Sequence, residues 1–235
     1  MNAINYGALD EVDVPSFKFT QQSYMKPGDR TDVGTYEYDP TQSNVDTAVW
    51  NDKANKKTHV SNRGSSTAYD WFVSDLQIAS GAEGYGARFK RAVDTTRAAH
   101  DKYGYDVSTS GHSLGGKASA YTTEQLGNED WYTGGTGFNQ GTSAVGRDSL
   151  WSKQRRDCNS ANPPVYCNKQ TNIKQDGDYI SMNRDAFGTT KRYGHKRGFL
   201  NSAARLFSPT YRTAQNASAH SLSNFSLPPV NTTTN

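Results

Sequence analysis

The run Gly111-His112-Ser113-Leu114-Gly115 places a serine between two glycines in the pattern Gly-x-Ser-x-Gly. A β-prone stretch precedes this run, and residues able to begin a helix follow it. The order predicts a nucleophile elbow, a strained strand-to-helix turn that presents the serine hydroxyl outward. We expect a Cβ at either flanking glycine to collide with the tightly packed turn. The alternative is an ordinary glycine-rich loop, since the five-residue pattern also occurs by chance.

A serine hydroxyl becomes a good nucleophile only when a base takes its proton, so a histidine is needed. Where the serine lies on such an elbow, the chain order is serine, acid, then a histidine on a late loop. Of the five histidines, this order favours His220, with His195, in a strongly basic loop, as the second choice. The others fit less well: we expect His59 in a strand, His100 on the charged face of a helix and His112 inside the elbow.

An acid that orients the histidine should follow a strand between the serine and the histidine. Asp176 and Asp178 flank a glycine directly after a short β-prone stretch, and a sharp turn is expected there. An Asp-Gly-Asp turn is also common in plain hairpins, and these residues by themselves leave both aspartates open.

Hydrolysis of an ester creates a negatively charged tetrahedral oxygen, which needs donors already in place. The turn Arg63-Gly64-Ser65 follows a predicted strand and can supply the Ser65 hydroxyl and a backbone amide. The backbone amide of Leu114, just after the predicted nucleophile, is the second expected donor. Taken alone, Arg63 is equally well explained as a surface arginine.

The elements around the serine follow the order that an elbow requires. Apolar residues recur at helical spacing over residues 84–103, and Gly104 is a natural stop. A strand leads directly to the serine, and a second helix is predicted from Gly115 to Leu126, with Gly127 ending it. Helix, strand, serine turn and helix together form an α/β unit.

Four motifs in order resemble the class 3 (fungal-type) lipase family of α/β-hydrolases, and the resemblance spans roughly residues 55–225. The matching runs are Asn-Arg-Gly-Ser-Ser (62–66), Asp-Trp-Phe-Val-Ser-Asp-Leu (70–76), Gly-His-Ser-Leu-Gly-Gly (111–116) and Gly-Asp-Tyr-Ile-Ser (177–181). The resemblance implies an α/β-hydrolase fold, with a central, mostly parallel sheet flanked by helices. By position it implies Ser113 as nucleophile, Asp178 as acid, His220 as base, and Ser65 and Leu114 as oxyanion donors. This chemistry requires neither a metal nor an organic cofactor.

The chain departs from the family pattern at three places. Asn62 stands where an aromatic residue is usual, and Lys117 stands where a small apolar residue usually begins the packing of the helix after the elbow. The strand before Ser113 is rich in Ser and Thr instead of Val and Ile. These departures remove no catalytic group, but they predict an unusual core.

The segment after the oxyanion turn carries Tyr69, Trp71 and Phe72. In many lipases of this family the corresponding segment forms a lid, so these side chains are expected to contact lipid or the acyl chain. An ordinary packed helix edge explains the same pattern.

The length and composition of the chain indicate how it is organised. With 235 residues, 33% hydrophobic residues and a mean hydropathy of −0.87, the chain is expected to be one polar, loop-rich domain. We assign residues 1–45 to a polar segment wrapping the domain as strands and turns, broken by prolines such as Pro15. Residues 46–226 form the α/β-hydrolase domain and 227–235 a flexible tail. Cys158 and Cys167 close a short loop, either as a disulfide or as two free thiols.

Charge and hydropathy bear on the partners. No apolar run is long enough to span a membrane, and no signal peptide is visible, which leaves the compartment open. Residues 1–150 carry 14 Lys and Arg against 19 Asp and Glu, whereas residues 151–235 carry 12 against 4. This basic region either attracts an anionic lipid interface or simply keeps the protein soluble. We expect no nucleic-acid partner, and the oligomeric state is not determined by the sequence.

The expected function is that of a serine hydrolase acting on carboxylic esters of lipids, in the manner of a triacylglycerol lipase. A phospholipase or a short-chain esterase on the same fold is the alternative enzyme. A lipase-fold protein without catalysis, serving a structural or lipid-binding role, is the alternative outside enzymes.

Overall fold

The structure, a computed structural model, describes residues 8–64, 83–141, 156–175, 178, 187–194 and 221–228. Within these residues, seven strands form one sheet. In chain order they are β1 (Glu37–Tyr38), β2 (Thr47–Asp52), β3 (Lys57–Asn62), β4 (Asp106–His112), β5 (Tyr132–Phe138), β6 (Gln170–Gln175) and β7 (Thr189–Tyr193).

The strands lie side by side in the order in which they occur in the chain. β1 pairs with β2, and β2 with β3, in antiparallel register, whereas every pair from β3 to β7 is parallel. The expected mostly parallel sheet is therefore confirmed. Because β3 to β7 run the same way, the residues that follow these strands meet at one edge of the sheet.

The helices α1 (Val14–Ser23), α2 (Glu83–Tyr103) and α3 (Leu114–Leu126) accompany this sheet. The predictions of α2 and α3 are confirmed. α2 ends where Gly104 adopts a φ of +65°, and the Gly104 amide donates to the carbonyl of His100 at 2.7 Å. None of the three helices combines the length and the apolar character needed to cross a bilayer.

The helices cover both faces of the sheet. In β4, the Ser110 hydroxyl is bonded to Thr20 of α1, and the adjacent Thr109 is bonded to Ser119 of α3. Successive side chains of a strand point to opposite faces, so α1 and α3 lie on opposite faces of the sheet. α2 packs beside α3 through Phe89.

The expectation of only strands and turns before residue 46 is wrong, because α1 lies in this segment. Pro15 does not break the helix, since it stands in the first turn, where its missing N–H costs no hydrogen bond. Two phenylalanines account for the position of α1. Phe17 packs edge-on against Phe138 at 5.6 Å between ring centroids, and Phe19 packs against Trp50 at 5.2 Å.

The polar composition of β4 is compensated by hydrogen bonds inside the core. The two ring nitrogens of His59, in β3, are each 2.8 Å from a serine hydroxyl, those of Ser108 and Ser110. On the other face, the Thr109 hydroxyl lies 2.7 Å from that of Tyr132. Because His59 is buried, its pKa is lowered to about 3, and the ring is neutral.

Cys158 and Cys167 form a disulfide with their Cα atoms 5.6 Å apart. The bond packs with Tyr166 and Phe187 against Ala120 of α3. Of the two alternatives, the structure therefore contains the bonded pair.

Candidate active site

Ser113 stands alone between the end of β4 at His112 and the start of α3 at Leu114. Its backbone has φ 55° and ψ −123°, a conformation that costs a non-glycine residue about 1–3 kcal/mol. The strain is held in place by neighbouring backbone, since the Ser113 amide donates to the carbonyl of Phe138 at 3.0 Å. The predicted strand, strained serine turn and helix are thus confirmed as a local structure.

The two flanking glycines are required by close backbone contacts. A Cβ at Gly111 would lie 2.3 Å from the backbone of Gly115, and a Cβ at Gly115 would lie 2.0 Å from the carbonyl oxygen of Asn62. The expected collision is therefore confirmed at both positions. The elbow is pressed directly against the end of β3.

The Leu114 amide lies at the start of α3. An amide in this position has no acceptor within its own helix and adds to the positive end of the helix dipole. The side chain of Leu114 is buried against Phe89 and Ala118, which fixes this first turn. The arrangement suits a donor to an oxyanion, and that role stays a prediction.

The turn after β3 passes beside the serine. A Cβ at Gly64 would lie 3.3 Å from the Cβ of Ser113 and 2.7 Å from the carbonyl oxygen of His112. The next residue, Ser65, lies outside the described residues, as do the predicted lid or acyl-binding residues Tyr69, Trp71 and Phe72.

Asp178 is fully buried three residues after β6, where its amide donates to the carbonyl of Gln175 at 3.2 Å. The Gln175 amide in turn donates to the side chain of Asn139, which follows β5, at 2.8 Å. Ser113 and Asp178 therefore follow two parallel strands, β4 and β6, at the same edge of the sheet. Asp176 lies outside the described residues.

His220 and His195 lie outside the described residues. Ser221, which follows His220 in the chain, begins a segment that is attached to this same edge. The carbonyl of Asn224 accepts a hydrogen bond from the side chain of Gln175 at 3.1 Å, and the ring of Phe225 packs on other aromatic rings of the core.

The three histidines within the described residues have other contacts. His59 lies in β3, as expected. His100 is half buried and stacks on Trp131 at 4.2 Å, so the expected place on a charged helix face is wrong. His112, within the elbow, has its Nδ1 atom 2.8 Å from the Tyr24 hydroxyl.

Tyr24, just after α1, belongs to the site and was missed by sequence reasoning. Its hydroxyl lies beside the Gly64 turn as well as His112. Burial raises the pKa of Tyr24 to about 12, although the Gly64 amide and the charges of Arg88 and Arg63 act in the opposite direction. No local pattern marks this tyrosine, because the contact depends on where α1 packs.

The two unusual residues near the elbow are both buried. The side-chain oxygen of Asn62 accepts from Thr47 at 3.3 Å, and its Nδ2 atom is buried with no hydrogen-bond partner. Lys117 is 9% exposed on α3, so this position is buried in spite of its charge.

No family model matches the sequence, and no curated protein matches it either. Among solved structures, the chain is similar to Lip2 lipase from Yarrowia lipolytica, with 15% identity and a TM-score of 0.52 over 83% of this chain and 82% of that one. It is similar to the Rhizomucor miehei lipase propeptide complex, with 17% identity and a TM-score of 0.51 over 84% and 74%. A third similar structure is a triacylglycerol lipase whose catalytic centre is described as a serine protease triad, with 15% identity and a TM-score of 0.50 over 83% and 84%.

These likenesses and the mixed sheet flanked by helices define the class of protein: the chain has the α/β-hydrolase fold. The three similar structures are lipases with 15–17% sequence identity to this chain. Across the parts of the chain that the structure covers, no group of three or more His, Cys, Asp or Glu side chains is placed to hold a metal ion.

Proposed function

We propose that this protein is a serine hydrolase of the class 3 lipase type that cleaves carboxylic esters of lipids. The strained backbone of Ser113 carries the proposal, because such strain persists only where the surrounding structure holds it and is concentrated at functional sites. The buried carboxyl group of Asp178 at the same edge of the sheet supports the proposal. Adjacent strands lie ~5 Å apart, so β4 and β6 leave about 10 Å between them, enough for an imidazole between a serine and a carboxylate.

In this mechanism, His220 takes the proton of the Ser113 hydroxyl while the serine oxygen attacks the ester carbonyl. The negative oxygen of the tetrahedral intermediate accepts hydrogen bonds from Ser65 and the Leu114 amide. When the intermediate collapses, the alcohol leaves with the proton from His220, and the acyl group stays on Ser113. Water then loses a proton to His220 and attacks the acyl-enzyme. When this second intermediate collapses, the acid is released and His220 returns the proton to the Ser113 oxygen. Asp178 orients the imidazole throughout.

The segment that follows His220 supports its choice as the base. From Ser221 onward this segment is attached to the end of β6 by the bond between Gln175 and Asn224. His220 directly precedes this attached segment in the chain, which supports its choice over His195.

Hydrolysis of p-nitrophenyl butyrate and labelling by a fluorophosphonate test the nucleophile. Ser113→Ala should lower turnover by about a thousandfold or more and abolish labelling. Ser160→Ala, in an exposed turn, is the matched control and should change neither. Turnover that survives Ser113→Ala would refute the proposal, and a wild-type protein that neither turns over ester nor takes up the label is a lipase-fold protein without catalysis.

Paired variants separate the alternatives for the base and the acid. His220→Ala should remove turnover while His195→Ala keeps it, and Asp178→Asn should be far more damaging than Asp176→Asn. The reverse order in either pair would reassign that role.

A substrate series separates the enzyme classes on this fold. For the proposed lipase, the rate should rise with acyl chain length and increase further once the substrate aggregates. A preference for short, dissolved esters would identify an esterase. Turnover confined to phospholipid, above all on anionic vesicles, would identify a phospholipase.

A further inference from the structure

The hydroxyl of Tyr24 connects two parts of the proposed site that are distant in sequence. It lies 2.8 Å from Nδ1 of His112, the residue before the nucleophile. It also lies directly against Gly64, the residue before the proposed oxyanion donor Ser65, since a Cβ added to this glycine would collide with the hydroxyl oxygen. The hydroxyl is therefore in contact with both the elbow and the turn that follows β3.

The contact between Tyr24 and the Gly64 turn leaves no free space. A Cβ at Gly64 would lie 2.3 Å from the Tyr24 hydroxyl oxygen and 3.3 Å from the Cβ of Ser113. The tyrosine hydroxyl, the glycine and the serine therefore form a continuous stack. A displacement of the turn by a few tenths of an ångström would change its distance from the serine.

The preceding residue of the turn is held from other directions. The Arg63 amide donates to the carbonyl of Asp46 at 2.8 Å, and the Arg63 carbonyl accepts a hydrogen bond from the guanidinium of Arg88 in α2. The Arg63 guanidinium lies 5.9 Å from the centre of the Tyr24 ring. Tyr24 and these contacts together hold Arg63 and Gly64, the last described residues before Ser65.

We propose that Tyr24 is a positioning residue for the oxyanion donors, acting through its contacts with Gly64 and His112 to hold the turn before Ser65 in register with Ser113. This inference rests on the proposed function. One oxyanion donor contributes a factor of about 100 to 1,000 to kcat, and it does so only when its geometry is correct to within ~0.5 Å. A side chain that touches both sides of the gap between turn and elbow is suited to keep that geometry.

The first test is Tyr24→Phe, which keeps the ring and removes only the hydroxyl. We expect kcat to fall about tenfold with KM unchanged, because the donor geometry matters most when the charge develops. Tyr36→Phe is the matched control, since the Tyr36 ring also packs against α1, at 5.0 Å from the Phe19 ring, and should leave kcat unchanged. A kcat of Tyr24→Phe equal to that of the wild type would overturn the proposal.

The second test uses phenylboronic acid, which forms a tetrahedral adduct with an active serine. For Tyr24→Phe the inhibition constant should rise by the same factor by which kcat falls, because the adduct also needs the oxyanion donors. A lower kcat with unchanged boronate affinity would overturn the proposal. A general loosening of the fold would not change kcat and the inhibition constant by the same factor.

A pair of variants at His112 keeps the proposal testable should Tyr24→Phe fail to fold. His112→Gln retains a side-chain acceptor for the Tyr24 hydroxyl and should keep kcat within about threefold of the wild type, whereas His112→Leu should lower it about tenfold. Equal values for the two variants would count against the proposal.

Failure of this inference and failure of the proposed function give different results. Turnover that depends on Ser113 but not on the Tyr24 hydroxyl removes only the positioning role. Turnover that does not depend on Ser113 removes both.

Discussion

The buried His59 predicts that this protein loses stability in mild acid. Its pKa is about 3 in the folded protein and 6.5 in an exposed chain, so between these values the unfolded state binds one proton more than the folded state. The free energy of unfolding is therefore retained above pH 6.5 and falls as the pH is lowered toward 3. At pH 4.5 the contribution of this one residue is a loss of about 2.7 kcal/mol, from 1.36 kcal/mol per pH unit. A typical domain has only about 5–15 kcal/mol in total.

The variant His59→Phe isolates this contribution. The phenyl ring can keep the stacking on Phe19, whose centroid lies 4.0 Å from the His59 ring, but it cannot accept or donate at Ser108 and Ser110. At pH 7.5 we expect a loss of about 1–3 kcal/mol from the two lost hydrogen bonds. Between pH 7.5 and 4.5, the variant should lose about 2.7 kcal/mol less than the wild type.

The assay is urea unfolding at pH 7.5, 5.5 and 4.5, with the midpoint and the slope fitted separately at each pH. His100→Phe is the matched control, because His100 also stacks on an aromatic ring but is only half buried. Equal acid losses for the wild type and His59→Phe would show that a neutral, buried His59 is not the source of the pH dependence.

Three further predictions concern stability. Gly115→Ala should destabilise the elbow by several kcal/mol and remove activity, because its Cβ would lie 2.0 Å from a backbone oxygen of β3. The control Gly86→Ala, at a position with open space around it, should leave the stability in thermal unfolding unchanged or raise it by up to ~1 kcal/mol. Burial raises the pKa of Tyr132 to about 12. Between pH 9 and 11, the free energy of unfolding of the wild type should therefore fall by about 1.4 kcal/mol more than that of Tyr132→Phe. Equal losses in urea titrations would contradict this. Replacing both Cys158 and Cys167 by serine should lower the free energy of unfolding in urea by about 3 kcal/mol, because the opened loop gains entropy in the unfolded state. The reference is the wild type with its disulfide kept oxidised. An unchanged midpoint would show that packing alone holds the loop.

The α/β unit around the serine was predictable because its signals are local. Helical spacing before Gly104, a β-prone run and the two glycines around Ser113 each act within a few residues. A backbone turn as tight as this one restricts residue type directly, so the sequence pattern and the steric contacts coincide.

The polar core was only partly predictable. The Ser- and Thr-rich strand indicated an unusual core, but not what would satisfy its hydroxyl groups. The partner of Ser108 and Ser110 is His59, about 50 positions earlier in the chain. Hydrogen bonds over such separations leave no periodic trace in a sequence, because only the sheet register brings the strands together.

The catalytic assignments of Asp178, His220 and Ser65 stay predictions, as do those of the proposed lid residues. The sequence by itself determined the class of fold and the position of the strained serine, since both depend on short-range sterics and hydrophobic spacing. Only the tertiary structure decided that Pro15 stands in the first turn of a helix and that Tyr24 contacts His112, which lies 88 positions later in the chain. The physical reason is that a helix is placed by the surface it buries, and that surface exists only after the sheet has formed.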